Sequence, residues 1–532
     1  MNKRLLKSFL ILLLTFIGFS TVSMPYGSAE SVVRVTYNDQ AIVFGQKPIS
    51  RKGTTYAETR PFIKPLGFQI HWINNTKFRL SKTALVIDME VNSMTAYVNS
   101  RKVTLAAAPM KVGATLFLPL RPIADITGHK VSWNAATNTI AIESSSANNT
   151  PATSYHSYKI IAYYSSWGTY QNYDVSGIDA SKITHINYAF ANIKEGKIVL
   201  GDPWADTQKP FPGDCSDNSC LKGNFNQLQK LKKANPHLKT LISVGGWTWS
   251  GQFSDIALTA SSRAKFADSA VQFIRDYSFD GVDLDWEYPV SGGLASNTKR
   301  PSDKQNFTLF LKEIREKLNT AQKEDGKTYL LTIAGGAFPG YVQNTEMDQI
   351  AKHLDWVNLM TYDFHGDWEN VSNHQAPLYM DPKDPVAYNA KGNINSTIYT
   401  YLKAGIPANK LILGIPLYGR SWTGCDITNQ GLYQSCKGVA DGVLADGIHE
   451  YGNLENQGWI NGKGFVRYWS NTAKVPWLLN KSTGTFITYE DPESIAYKAK
   501  YIKSKGLGGA MFWEINQDFN HTLQSKLYQS LK

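Results

Sequence analysis

Three carboxylates at alternate positions set the chemistry of this chain. Phe279-Asp-Gly-Val-Asp-Leu-Asp-Trp-Glu-Tyr-Pro289 reads as a strand in which Val282 and Leu284 are apolar while Asp283, Asp285 and Glu287 take every second position. Side chains on a strand alternate faces, so the three acids share one face at a spacing of about 7 Å. An exposed strand could also alternate acids with apolar residues in water. Packed together, however, the acids repel, and at least one must hold its proton above the ordinary carboxylate range. That is the property a general acid needs near neutral pH. Tyr288-Pro289 ends the strand directly after Glu287, which places the last acid at a strand's C-terminal end, where parallel α/β folds keep their chemistry.

The elements that must position this strand follow from the rest of the chain. Apolar, β-rich runs at Lys159–Tyr163, Ile183–Phe190, Thr240–Val244, Gly281–Asp285, Tyr329–Ala334, Trp356–Met360, Leu411–Pro416 and Gly508–Phe512 give eight strands. Between the fourth and fifth, Phe307, Phe310, Leu311, Ile314 and Leu318 recur at helical spacing. Eight β–α units over residues 158–532 predict an α/β fold, a (β/α)8 TIM barrel enlarged by insertions. A doubly wound open sheet is the second choice, but no Gly-rich phosphate loop follows any strand. The stretch between Arg420 and Tyr489 is far too long for a βα loop.

The segment Asp280, Asp283, Asp285, Glu287 has the form D-x-x-D-x-D-x-E and resembles the signature of family 18 glycoside hydrolases, the chitinases. The likeness extends over about residues 158–532. Ser243-Val-Gly-Gly-Trp247 after the third strand resembles the S-x-G-G motif of that family. Met360-Thr-Tyr-Asp-Phe-His-Gly-Asp-Trp368 follows the sixth strand, Gly414-Ile-Pro-Leu-Tyr-Gly-Arg420 the seventh, and Gly508-Gly-Ala-Met-Phe-Trp513-Glu stands at the eighth. Tyr163 and Phe190 match aromatic positions of the same pocket. The resemblance implies a small α+β insertion over 421–489, between strands 7 and 8, walling a deep cleft.

It also implies a mechanism and a set of roles. Glu287 is the proton donor, and the 2-acetamido oxygen of the substrate itself attacks the anomeric carbon, giving an oxazolinium ion with retention. Asp285 orients the acetamido group, with Asp283 tuning its proton. Tyr362 donates to the acetamido oxygen and Asp363 contacts the distorted sugar. Ser243 supports the carboxylate row, and Trp513 forms the floor. Trp247 and Trp368 stack on sugars on the leaving-group side, while Tyr418 and Arg420 line the other; Met360 completes the binding set. No metal or organic cofactor is required. The expected substrate is chitin or a related N-acetylglucosamine polymer. An N-acetylglucosaminidase acting on peptidoglycan or N-glycans is the close alternative. A lectin that has lost catalysis is a third, although such proteins usually lack the acid that Glu287 supplies.

Residues 1–29 have the anatomy of a signal peptide: Lys3, Arg4 and Lys7, the apolar run Phe9–Phe19, then Gly27-Ser28-Ala29. A retained anchor is the alternative, but the run is short. Secretion, with cell-wall association as a further expectation, is the reading. No later segment is long and apolar enough to span a membrane, and nucleic acid is not an expected partner. The four cysteines fall into two close groups, which in an exported chain suggests Cys215–Cys220 and Cys425–Cys436 disulfides.

The formal charge of +11 is unevenly spread: between Glu30 and Glu143 there are 14 Lys and Arg against 7 Asp and Glu. That basic region, 30–143, is a duplication with an offset of 61 residues. Asn38, Pro48, Arg60-Pro61, Gly67, Trp72 and Thr76 recur as Asn99, Pro109, Arg121-Pro122, Gly128, Trp133 and Thr137. Each copy predicts strand, strand, a proline-opened helix, a glycine stop, then a strand through the tryptophan. The region resembles the N-terminal domain of copper amine oxidases, without implying copper, since His71 and His129 are lone histidines. Trp72 and Trp133 are expected in the core of this α+β module, with sugar stacking as the alternative. Attachment to wall or polymer is its expected role, against a basic surface that only confers solubility. Residues 144–157 are small and polar and read as a linker.

Overall fold

The computed structural model describes residues 33–532 apart from 39, 52, 83–84, 99–100, 128, 135–136, 145–157, 218–219, 386–391 and 443–444. The signal-peptide reading of 1–29, Gly128, and all of the linker but Ser144 lie outside the described residues. The chain divides into two compact units between Tyr155 and His156.

In the larger unit eight parallel strands close on themselves: β1 Lys159–Ser165, β2 His185–Lys194, β3 Lys239–Gly245, β4 Gly281–Asp285, β5 Leu330–Gly336, β6 Trp356–Met360, β7 Leu411–Pro416 and β8 Gly509–Trp513. Each pairs with its neighbour in sequence, and β8 returns to β1 through Lys159 opposite Gly509. This is the predicted barrel, with boundaries shifted by a few residues at most in seven of the strands. The exception, β2, runs on to Lys194 because Asn192–Lys194 pair antiparallel with Lys197–Val199. The helix Asp303–Asp325 buries Phe307, Phe310, Leu311, Ile314 and Leu318, the stripe its periodicity predicts. It stops at Gly326, where φ is +63°, a conformation that costs glycine least.

One expectation needs correction. Glu287 is not on β4: the strand ends at Asp285, and the last carbonyl there accepts from the Gly246 N–H at 2.8 Å. The Glu287 N–H turns instead to Ser250 Oγ at 2.9 Å. A side chain from another segment has replaced the next ladder partner, so the chain leaves the sheet two residues early.

Between β7 and β8 lies a five-stranded antiparallel sheet built from Tyr418–Trp422, Ile448–Glu450, Phe465–Ser470, Val475–Asn480 and Thr485–Thr488, with the short helix Tyr451–Asn456. Arg420 is therefore on the first strand of this insertion. Cys425–Cys436 closes a loop in it, and Cys215–Cys220 closes one between β2 and β3.

The smaller unit shows the duplication element by element. The hairpin Ile49–Arg51/Thr54–Glu58 and helix Thr59–Ile63 recur as Met110–Val112/Thr115–Pro119 and Leu120–Ile126. Gln69–Trp72 and Lys77–Lys82 recur as His129–Asn134 and Thr139–Ser144. The copies are interlocked: Thr54–Glu58 of the first pairs with Thr115–Pro119 of the second, and Arg34–Tyr37 of the first pairs with Thr139–Ser144 of the second. Phe62, Ile63, Ile123 and Ala124 fill a common core.

The tryptophans are not part of that core, which corrects the sequence reading. Trp72 is 41% and Trp133 49% exposed. Along His129–Asn134 the inward face runs from buried His129 through half-buried Val131 to Trp133. The apolar face outlasts the core beneath it, so its last member reaches solvent.

Candidate active site

The strand register builds the centre. Ser243, Asp283 and Thr332 stand opposite one another across β3, β4 and β5. Their side chains meet: Ser243 Oγ donates to Asp283 Oδ2 at 2.7 Å, and Thr332 Oγ1 to Oδ1 at 2.5 Å. Tyr163 on β1 donates to Oδ2 at 2.6 Å, and Asn358 on β6 donates to Oδ1 at 3.1 Å. Asp283 is fully buried. Burial pushes its carboxyl up, and these four donors pull it back by favouring the charged form.

Asp285 lies in the opposite condition. It is buried, its Oδ1 has no hydrogen-bond partner among the described residues, and its carboxyl is pushed well up by burial first and by Glu287 and Asp283 next. Burial likewise pushes Glu287 up to about 7, with Asp363 adding to the shift and a hydrogen bond to Tyr288 opposing it. Two adjacent carboxyls that both resist ionisation share a proton readily, and one of them stays an acid at neutral pH. The Glu287 backbone is pinned at both ends, by Ser250 Oγ on its N–H and by Asn297 Nδ2 on its carbonyl at 3.0 Å.

The loop after β6 brings a second group. Asp363 takes a left-handed φ of +55°, which an aspartate tolerates. It accepts from Tyr418 Oη at 2.7 Å and from Arg420 Nε and Nη2 at 2.6 and 2.9 Å. Arg420 also donates to Asp367 and lies 4.7 Å from the centre of the Trp368 ring. Two residues assigned to separate contacts with substrate thus bind each other, and Trp368, 55% exposed, is held by the same guanidinium.

Aromatic rings cover the floor. Trp513 at the end of β8 packs on Phe190 with centroids 5.7 Å apart and meets Tyr163 edge-on at 5.5 Å. Tyr362 joins this cluster and faces Tyr418. Gly246, at φ +78°, allows the approach, because a Cβ there would stand 2.7 Å from the Phe190 ring. Trp247, 50% exposed, stands outside the Trp513 cluster at the β3 exit. Half-buried Met360 ends β6.

Sequence reasoning missed several members. Thr332 and Asn358 looked like ordinary positions in apolar strands; the available signal was one polar residue on an otherwise apolar buried run. Trp167, in the turn after β1, packs edge-on against Trp513 and bonds Glu514 through Nε1 at 3.2 Å. Beyond it, exposed Tyr170 and Trp204 stack at 5.6 Å. Among the described residues no cluster of His, Cys, Asp or Glu is arranged to hold a metal ion.

Comparison with known proteins gives two family matches. The model of glycosyl hydrolases family 18 matches residues 159–518, and that of the copper amine oxidase N-terminal domain matches residues 36–142. Chitinase A1 of Niallia circulans is 52% identical over 415 residues, covering 70% of this chain and 58% of the relative. The solved chitinase ChiA74 from Bacillus thuringiensis superposes with a TM-score of 0.67 at 45% identity, covering 71% of this chain and 70% of that one. A family 18 N-acetylglucosaminidase from Paenibacillus barengoltzii gives 0.60 at 36% identity, covering 70% of this chain and all of its own.

Proposed function

The chain belongs to glycosyl hydrolases family 18, and we propose that its barrel is a chitinase that cleaves β-1,4-linked N-acetylglucosamine polymers with retention. The observation that carries this reading is the Asp285–Glu287 pair, buried together at the barrel mouth with Glu287 held near 7. Family 18 enzymes depart from the two-carboxylate scheme by recruiting the substrate's own acetamido group. Glu287 gives its proton to the leaving oxygen as the acetamido oxygen closes on the anomeric carbon. Asp285, with its unpartnered Oδ1, accepts the acetamido N–H and balances the charge of the oxazolinium ion. Tyr362 donates to the acetamido oxygen. Trp513 supports the sugar from beneath, with Phe190 and Tyr163 backing it. Asp363, held by Tyr418 and Arg420, faces the sugar as a fixed anion. Glu287 then takes a proton from the water that opens the oxazolinium ring.

Product analysis on chitin oligomers and on purified peptidoglycan tests the substrate. Release of short N-acetylglucosamine oligomers from chitin supports the reading, and cutting of peptidoglycan alone overturns it in favour of the glucosaminidase. Substrates bearing a free amine at the cleaved sugar should resist hydrolysis, and a thiazoline mimic of the intermediate should inhibit.

Export through residues 1–29, and attachment of the basic module to an insoluble target, complete the proposal. Among the described residues no helix is long and apolar enough to cross a membrane. A tethering module raises local concentration without adding contacts at the reacting bond. A shortened chain starting near Thr150 should then hydrolyse soluble oligomers normally but lose retention on chitin or walls. Equal retention of both forms on every insoluble polymer overturns the tether.

A further inference from the structure

The two copies of the N-terminal repeat differ where their tryptophans stand. In the first copy Trp72 is capped: Lys111 places its Nζ 4.5 Å from the ring centre and donates to the Asn75 carbonyl at 3.0 Å. Lys111 comes from the hairpin of the second copy, Met110–Val112. Its counterpart 61 residues earlier is Ser50, and the counterpart of Trp72 is Trp133. Serine is too short to cap an indole. Among the described residues no cation lies over Trp133, and beside it is a cavity of about 690 Å³, lined by Ser50, Thr55, Thr104, Arg121, Asp125 and Trp133 among others. One long side chain fills the position in one copy, and its absence leaves the position open in the other.

We propose that this cavity is a saccharide-binding site, taking a short stretch of N-acetylglucosamine polymer with one sugar face laid on Trp133. Its size lies within the range of about 300–1,000 Å³ typical of small-ligand sites. The exposed indole offers an apolar plate for the C–H face of a pyranose. Arg121 and Asp125, one turn apart on the helix Leu120–Ile126, contribute one charge of each sign. Among the described residues that line the cavity the charges therefore balance, although the module around it is basic. A polyphosphate would meet Asp125 as a repelling neighbour, whereas a neutral sugar uses both the donors of Arg121 and the acceptors of Asp125. The hydroxyls of Ser50, Thr55 and Thr104 add groups that both donate and accept. The identity of the polymer rests on the chitinase reading above; the existence of the site does not.

The test uses the full chain. Retention on insoluble chitin is measured in a Glu287→Gln background, which stops turnover, with Ser50→Lys and Trp133→Ala added separately. Ser50→Lys installs the cap that the first copy already carries, so it is compatible with the fold. Each change should weaken chitin binding about tenfold, the size of losing one aromatic anchor, and Trp72→Ala should leave it unchanged. With Glu287 intact, both variants should hydrolyse soluble chitin oligomers like the parent. Undiminished retention in both variants overturns the site. A loss confined to phosphate-bearing walls, weakening further with salt, overturns the neutral-sugar assignment. If the parent fails to cut chitin oligomers but the variants still lose retention, the chitinase reading falls and the site stands.

Discussion

Asp283 and Asp285 stand two residues apart on one face of β4, yet four side chains donate to Asp283 while Oδ1 of Asp285 has no partner among the described residues. The first is a structural hub. On the proposed function, the second is the one free to take a substrate group.

Replacement separates the two. Asp283→Ala strands the hydroxyls of Tyr163, Ser243 and Thr332 and the amide of Asn358 in the barrel core. Each buried donor left unpaired costs about 1–3 kcal/mol, so thermal melts should show a large loss. Asp285→Asn keeps the shape and removes a carboxyl crowded by burial, Glu287 and Asp283, so it should leave melting unchanged or raised, while turnover falls by about a hundredfold or more. Equal destabilisation by the two changes would refute the division.

Glu287 predicts two pH profiles with the same sign. Its carboxyl is raised from about 4.5 to about 7, so the acid is present below that pH and lost above it. Activity on soluble oligomers should fall about tenfold per unit on the alkaline side. For stability, a raised carboxyl contributes fully below its unfolded value and loses that contribution as pH rises through the folded one. Glu287→Gln lacks this dependence. The melting temperature of the parent should therefore fall relative to that variant between about pH 4.5 and 7. A parent that instead gains on the variant as pH rises through this window would falsify the assignment.

The Arg420–Asp363 pair predicts a binding defect. Lysine cannot reproduce two parallel N–H bonds to one carboxylate, nor lie flat on Trp368. Arg420→Lys should raise KM for oligomers about tenfold, as expected for one lost hydrogen bond to a charged group, with kcat falling less. A fall in kcat at constant KM would place Arg420 in the chemical step instead.

A buried ion pair outside the site anchors the chain just beyond the same loop. Lys498 and Glu490 are both fully buried and bonded to each other, and Lys498 also donates to the Ala376 carbonyl in the segment that follows Asp363 and Trp368. Lys498→Met leaves Glu490 as a lone buried charge, at a cost of about 3–5 kcal/mol. Adding Glu490→Gln should recover most of it in a denaturant titration. No recovery would mean that the packing of the lysine stem, not the charge, holds the loop.

Local signals carried much of the design. Period-two and period-3.6 patterns are properties of the chain segment, so the eight strands and the stripe on Asp303–Asp325 were readable before any contact was known. The same holds for the repeat, whose 61-residue offset reappears element by element. The carboxylate row and the loop motifs were legible because turn glycines and clustered acids stand out against a folding background. The Trp72 and Trp133 expectation failed for a corresponding reason: alternation says which face a residue takes, but not where the core beneath that face ends.

The sequence alone determined which residues could be acids, which segments would be strands, and which cysteines were near neighbours. Tertiary structure alone decided what surrounds them. Thr332 and Asn358 reach Asp283 from 49 and 75 residues away, through a lateral register that only barrel closure fixes. Arg420 meets Asp363 because the insertion sheet folds back over the loop after β6. Whether a repeated tryptophan is capped or open depends on one side chain from the other copy. Such relationships belong to no segment, because burial, desolvation and pairing are energies of packed neighbours, and the linear pattern does not specify who those neighbours are.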